Sequence, residues 1–361
     1  MADAIDYASM ARALRLAERG LFTATPNPRV GCVIVRDGAV VGEGWHEKAG
    51  GPHAEVVALH EAGARARDAT AYVSLEPCNH HGRTPPCSEA LIGAGVARVV
   101  AAMVDPNPLT GGKGLARLRQ AGIEVETGVL EDAARELNIG FIARMTRGRP
   151  WVRMKMAASL DGRTALADGR SQWITGEAAR RDGHRWRARA CAIVTGVSTV
   201  RHDDPQLTVR DVATSRQPRR VVVDSKLRVA PQAKVFSDGG TLVACAVNDE
   251  EKIARLEAAG AEVIVMSDAN GRVDLEALLR ELARRGMNEI HVEAGRRLSG
   301  ALIIAGLVDE LLFYLAPSLL GDGARGMFDL PGLTDLADKR ELVLRDVRTV
   351  GEDLRLLARF K

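Results

Sequence analysis

The sequence predicts an α/β protein built as two domains, on three observations. Short β-branched runs alternate with amphipathic helical stretches along most of the chain, the pattern of a sheet covered by helices on both faces. At 361 residues the chain is long for a single hydrophobic core. A polar stretch with Gly and Pro, Met145-Thr146-Arg147-Gly148-Arg149-Pro150, interrupts the alternation and divides residues 1–146 from 147–361.

In the first domain a helix is expected from near Asp6, with Met10, Leu14, Ala17 and Leu21 on one face and Gly20 as its stop. Two strands follow, Val30 to Val35 and around Val40-Val41, and the Asp37-Gly38 pair between them is a hairpin signal. A helix from Ala54 to Ala64, a strand from Thr70 to Leu75, a helix opened by Cys87 and a strand from Arg98 to Val104 come next. Helix Gly114 to Ala121, strand Ile123 to Glu126 and one helix from Glu131 to Arg144 complete the unit.

The second domain reads as strand Trp151 to Ala158, helix Glu177 to Arg189 and strand Ala190 to Thr195. Strands Arg219 to Asp224, Thr241 to Val247, Ala261 to Val265 and Glu289 to Glu293 follow, with helices Glu250 to Ala259 and Asp274 to Arg284 among them. The tail, Glu310 to Ala316, Glu341 to Val347 and Leu354 to Phe360, reads as antiparallel additions.

Composition excludes several classes. Lys and Arg nearly balance Asp and Glu, for a net charge of +3, and aromatics are 4 %, which argues against a base-stacking surface. No apolar run reaches the length of a membrane span, and the acidic start lacks the basic and apolar regions of a signal peptide, so a cytoplasmic location is expected. The five cysteines are scattered and do not form a disulfide framework. Cys32, Cys191 and Cys245 lie in apolar runs and read as buried strand thiols. Cys78 and Cys87 lie in polar loops, each directly after a proline.

Those two thiols, with His53 and Glu55, carry the chemistry of the first half. Imidazole and thiolate are what Zn²⁺ prefers, and three protein ligands leave its fourth position open. Cys87 at a helix start would have its thiolate favoured by backbone amides and the helix dipole. Glu55, two residues after His53, is placed to move protons, not to bind the metal. Zinc deaminases carry His-x-Glu followed by Pro-Cys-x-x-Cys. Here eight residues, 79 to 86, separate the cysteines. That spacing leaves open a closed, structural site with His80 or His81 as fourth ligand.

With Glu76-Pro77-Cys78, Gly82-Arg83-Thr84-Pro85-Pro86-Cys87 and the upstream Asn27-Pro28-Arg29-Val30-Gly31, the chain resembles the bifunctional riboflavin-biosynthesis deaminase–reductases, in which the longer loop is normal. The resemblance implies a cytidine-deaminase-like fold for the first domain. It also implies one Zn²⁺ on His53, Cys78 and Cys87, with Glu55 as catalytic acid and base. The implied substrate is 2,5-diamino-6-ribosylamino-4(3H)-pyrimidinone 5′-phosphate, contacted by Asn27, His46, Arg83, Thr84 and Asn107. A glycine-rich loop before a helix, Gly111-Gly112-Lys113-Gly114, also favours an anion.

The resemblance continues through Lys155 to Arg163, Ser171 to Thr175, Asp203 to Arg210 and His291 to Gly295. It implies a dihydrofolate-reductase-like second domain that uses NADPH to reduce the ribosyl group to ribityl. Ala158, Trp173, Thr199, Asp203, Ser225 and the run Gly295, Arg296, Arg297, Leu298, Ser299, Gly300, Ala301 would bind NADPH. Ser171, Arg187, Leu207, Arg210 and Glu293 would bind substrate, with both arginines suited to the 5′-phosphate, and Lys155 would assist proton transfer. Asp224, ending a strand, stands against NADPH, since an acid there favours a free ribose hydroxyl. The expected partner is thus a small phosphorylated pyrimidine, with no nucleic acid and no membrane; a homo-oligomer is allowed. The competing readings are a single-activity nucleoside or nucleobase zinc deaminase and a non-catalytic zinc module that binds RNA.

Overall fold

The computed structural model describes residues 2–80 and 85–361. They form two compact units that part at Arg149 and Pro150. The stretch read as a polar linker is helical through Arg147 and stops at Gly148, in the left-handed region at φ 65°.

In the first unit, α1 (Ala4–Glu18) starts ahead of Asp6 because Asp3 caps it. The Asp3 carboxylate accepts the N–H groups of Ile5 and Asp6, and Asp6 accepts that of Asp3 in return. Strands β1 (Gly31–Arg36) and β2 (Ala39–Trp45) form the expected hairpin, with Asp37 and Gly38 both at positive φ, 52° and 76°. Then come α2 (Ala54–Ala62), β3 (Thr70–Val73), α3 (Cys87–Ala94), β4 (Arg98–Ala101), α4 (Lys113–Gln120) and β5 (Glu124–Thr127). The sheet runs β2-β1-β3-β4-β5, parallel from β3 onward.

Alternation along β1 divides the core. Cys32 and Ile34 pack with Ala54 and Ala58 of α2, whereas Val33 and Val35 pack with Met10 and Leu14 of α1. Helix α2 lies directly on β2 because Gly44 has no side chain; a Cβ there would stand 2.3 Å from the Ala54 carbonyl. That close approach fixes where the start of α2, and with it His53, sits. The single helix expected from Glu131 to Arg144 is two, α5 (Glu131–Leu137) and α6 (Ile139–Arg147). Asn138 breaks it: its buried amide accepts the Arg29 N–H at 2.8 Å and donates to the Arg29 carbonyl at 2.9 Å.

The second unit opens with β6 (Trp151–Ser159), β7 (Arg163–Ala165), α7 (Glu177–Arg189), β8 (Ala192–Gly196), α8 (Val197–Asp203) and β9 (Arg219–Val223). It continues with β10 (Thr241–Cys245), α9 (Glu250–Ala258), β11 (Ala261–Val265), α10 (Leu275–Arg284), β12 (Glu289–Val292) and α11 (Arg296–Ile304). It closes with β13 (Glu310–Ala316), β14 (Arg325–Gly326), β15 (Leu342–Val350) and β16 (Asp353–Phe360). Nine strands make one sheet in the order β11-β10-β9-β8-β12-β6-β13-β16-β15, and β14 pairs separately with β7.

One correction concerns the tail. Strand β13 is not an antiparallel addition; it runs parallel to β6, because α11 carries the chain across the sheet before it. Only β15 and β16 are antiparallel additions. Helix α8 and the β7–β14 ladder were not foreseen. Among the described residues no helix is long and apolar enough to cross a membrane.

Candidate functional site

In the first unit the fold brings His53, Cys78 and Cys87 to one point. His53 is the residue immediately before α2, Cys78 follows β3, and Cys87 is the first residue of α3. Their ligand atoms all lie within 4.8 Å of one another. His53 Nδ1 is 3.2 Å from Cys87 Sγ and 3.5 Å from Cys78 Sγ, and the Cys87 N–H donates to Cys78 Sγ at 3.4 Å. The Cys87 thiol, the His53 ring and that amide draw the Cys78 thiol down to about 4 against the opposing effect of burial, while the sharing and its own burial push Cys87 up. A half-buried thiolate, a second thiol and an imidazole converging this closely fit a tetrahedral soft cation. His80 does not join the cluster, and His81 lies outside the described residues.

Glu55 is 3 % exposed on the first turn of α2, and burial pushes its carboxyl up to about 7. A carboxyl in that range can both take and give a proton near neutrality. Of the residues expected to contact substrate, Asn27 and His46 are beside the cluster. The His46 ring meets His53 edge-on at 5.5 Å. Its Nδ1 lies 2.9 Å from the Pro52 carbonyl and its Nε2 3.0 Å from Asn27 Nδ2. The arrangement requires Nδ1–H to donate and Nε2 to accept, so His46 is neutral, in keeping with the lowering of its pKa by burial. Asn107 Oδ1 accepts the Leu109 N–H. Arg83 and Thr84 lie outside the described residues.

The glycine-rich loop holds an anion, but one from within the chain. The Glu76 carboxylate accepts four backbone N–H groups, from Asp105, Gly112, Gly114 and Leu115, at 2.8 to 3.2 Å. Sequence reasoning missed this, although Glu76 two residues before a ligand, and the run of glycines downstream, were both visible. Gly114 lets α4 abut the Cys78 loop: a Cβ there would be 1.9 Å from the Pro77 carbonyl.

In the second unit, Arg187 of α7 and Glu293, just past β12, form a two-pronged pair at 2.5 and 2.8 Å. Burial alone would raise Glu293, but Arg187, His291 and Lys155 hold it well below the usual carboxylate range. Lys155, on β6, is pulled down by burial against the opposing charge of Glu293. Arg187 also donates to the Thr208 carbonyl at 3.0 Å, so its fork is directed within the chain. Arg210 is exposed, steadied by Thr208 Oγ1 at 3.1 Å. The Leu207 side chain is core, packed with Val200 and Val222 at a backbone φ of 54°; any ligand role falls to its backbone. Ser171 is half-buried.

The residues expected around the dinucleotide divide by burial. Gly295 precedes α11, and its N–H donates to Thr199 Oγ1 on α8 at 3.2 Å, which brings those two together. Gly295, Arg296 and Arg297 are exposed, Leu298 and Ala301 half-buried, Ser299 and Gly300 buried. Gly300 sits where a Cβ would strike the Asp329 carbonyl at 2.0 Å. Arg296 pairs with Asp329 at 3.3 Å. Trp173 is 71 % exposed beneath the Arg180 guanidinium, Asp203 is exposed at the end of α8, and Ala158 is buried in β6. Ser225 Oγ accepts the Val273 N–H. Asp224 is fully buried and turned inward, where it accepts the N–H groups of Arg228 and Val229. It therefore does not stand against a 2′-phosphate as its strand-end position suggested.

A pre-assembled His/Cys/Cys cluster with a buried carboxyl fits a hydrolytic metal centre, and it is joined in one chain to a largely parallel nine-stranded unit. Residues 4–103 match the cytidine and deoxycytidylate deaminase zinc-binding region, and residues 150–356 match the RibD C-terminal domain. The riboflavin biosynthesis protein RibD of Escherichia coli K12 is 51 % identical over 96 % of both chains. The crystallised Acinetobacter baumannii RibD (form 2) is 44 % identical with a TM-score of 0.91, over 99 % of both chains. A Thermotoga maritima structure, titled a diaminohydroxyphosphoribosylaminopyrimidine deaminase/5-amino-6-(5-phosphoribosylamino)uracil reductase, is 33 % identical with a TM-score of 0.88, over 99 % of both. The chain belongs to the RibD family, the deaminase–reductases of riboflavin biosynthesis. Its first unit has the cytidine-deaminase-like fold and its second the dihydrofolate-reductase-like fold of that family.

Proposed function

We propose that residues 1–146 deaminate 2,5-diamino-6-ribosylamino-4(3H)-pyrimidinone 5′-phosphate and that residues 147–361 reduce the product's ribosyl group. The observation that carries the first half is the convergence of His53, Cys78 and Cys87 beside Glu55. Zinc held by those three residues supplies the Lewis acidity that makes water reactive near neutral pH. Glu55 takes a proton as water adds to the amino-bearing ring carbon and returns it to the departing ammonia. Asn27, His46 and Asn107 contact the substrate, a role shared by Arg83 and Thr84, which lie outside the described residues.

In the second half, a bound NADPH would supply the hydride for reducing the ribosyl group through its open imine form. Lys155 provides the accompanying proton; its lowered pKa supports that role. Gly295 to Ala301, with Ala158, Trp173, Thr199, Asp203 and Ser225, hold the dinucleotide. Substrate is held by Ser171, Leu207, Arg187, Arg210 and Glu293. Of the two arginines, the exposed Arg210 suits the phosphate, whereas Arg187 orients Glu293. No nucleic acid or membrane partner is required, and the reading places the enzyme in the cytoplasm.

The test supplies the diaminopyrimidinone phosphate with and without NADPH to wild type and to Glu55→Ala. The variant is expected to keep about one zinc, because Glu55 is not a ligand, and to release no ammonia. Loss of metal from the variant, or unchanged ammonia release, would overturn the role of Glu55. Deaminated substrate that consumes no NADPH with wild type would leave the single-activity deaminase.

A further inference from the structure

Helix α7 carries a histidine that the proposed chemistry does not use. His184 is 8 % exposed, and its Nδ1 accepts the backbone N–H of Arg210 at 3.1 Å. A ring nitrogen that accepts carries no proton, so the fold selects the neutral ring with its hydrogen on Nε2. That side faces Asp211, whose carboxylate is 3.8 Å away.

The loop so held is conformationally demanding. Leu207 and Asp211 bracket it at φ 54° and 46°, a region that residues with side chains seldom enter. Three ties are visible. Arg187 donates to the Thr208 carbonyl at 3.0 Å. Gln217 accepts the Val209 N–H at 2.7 Å and donates to the Val209 carbonyl at 3.1 Å. His184 takes the Arg210 N–H. The first two do not change with pH in the neutral range; the third is lost when the ring gains a proton.

We infer that His184 is a positioning residue of the reductase half, which fixes the Arg210 backbone so that the exposed guanidinium meets an anionic, phosphate-bearing substrate and releases it when protonated. The inference rests on the assignment of Arg210 to the substrate phosphate. Burial, then Arg187 and Arg210, lower the His184 pKa, and Asp211 and Glu293 oppose them. These are the charged groups that face the ring from its own helix, from the loop and from the end of β12. With the pKa below the ordinary value, the tie is intact at neutral pH and lost on acidification, so substrate affinity weakens toward acid.

The experiment follows NADPH oxidation by the full chain on deaminated substrate, from about pH 5.5 to 8, across the ordinary histidine range. Wild type is compared with His184→Ala, His184→Asn and Arg210→Ala. Loss of one hydrogen bond predicts that His184→Ala raises the KM for substrate about tenfold. Its kcat, KM for NADPH and ammonia release should stay as in wild type. His184→Asn, whose amide oxygen can accept the same N–H, should recover most of that KM and lose the acid-side rise. The substrate phosphate titrates near pH ~6 and adds an acid rise common to all variants; the difference between wild type and His184→Asn is the readout. Arg210→Ala raising KM while His184→Ala does not overturns the inference and leaves the phosphate assignment standing. An Arg210→Ala with unchanged KM overturns that assignment itself. If His184→Ala does not fold, equal acid-side rises in wild type and His184→Asn overturn the inference.

Discussion

Cys78 shows how a single side chain is prepared for a metal before any metal arrives. A thiol, an imidazole and a backbone amide all point at its sulfur, and these donors favour the thiolate. Serine cannot ionise in this range, so Cys78→Ser should lose most bound zinc by metal analysis and most ammonia release, while NADPH oxidation on deaminated substrate continues. Removal of zinc by a chelator should produce the same split. In the second unit the sensitive pair is Arg187 with Glu293. Arg187→Ala strands a mostly enclosed carboxylate at a cost of about 3 kcal/mol, to be read as a lower denaturation midpoint. Glu293→Gln in the same background should recover part of that loss. At this scale much was legible: residue type pointed to the His53, Cys78 and Cys87 cluster that the fold assembles, although the spacing alone left a fourth ligand open. What the sequence could not convey was which partner an arginine faces, and Arg187 and Arg210 divided on that point.

Elements in this protein are placed by small polar devices as much as by apolar faces. Asp6 ties α1 to the sheet: its carboxylate accepts from Tyr72 Oη at 2.8 Å and from Arg98 at 2.7 and 3.0 Å, and these partners pull it down to about 2. Because the folded pKa lies below the unfolded one, the stabilisation is full above about pH 4 and lost as pH falls toward 2. Asp6→Asn should therefore cost about 2 kcal/mol near neutrality, and the difference from wild type should close as pH falls through about 2. At the other end of the unit, the four amides gathered by Glu76 and the bare Cα of Gly114 press α4 against the Cys78 loop. Gly114→Ala forces a methyl into the Pro77 carbonyl and is expected to lower zinc content and deamination without affecting the reductase. Periodicity predicted most elements, because α-helical and strand spacing are properties of the local sequence. It failed where a long-range contact decided the outcome. Asn138 divides α5 from α6 only because the Arg29 backbone is there to be clamped, and β13 runs parallel only because α11 crosses the sheet first.

At the scale of the whole chain, two self-contained cores carry two reactions, and each unit has its own sheet and its own apolar clusters. Variants should therefore separate the activities cleanly. Lys155→Ala is expected to deaminate at the wild-type rate, accumulate the deaminated pyrimidine and oxidise little NADPH, with product identity read by mass spectrometry. The division into two domains was legible from length and alternation. The β7–β14 ladder and α8 were not, since a two- or three-residue strand and a seven-residue helix leave too little pattern to recognise.

The inward-facing Asp224 bears on any attempt to redesign cofactor choice. The usual route from a phosphorylated to an unphosphorylated dinucleotide is to install an acid at the end of the second strand. Here an acid already stands directly after a strand, β9, and is committed to holding the turn at Arg228 and Val229. Exchanging it would unravel the support instead of altering the preference. Attempts to shift the proposed NADPH preference toward NADH should leave Asp224 alone.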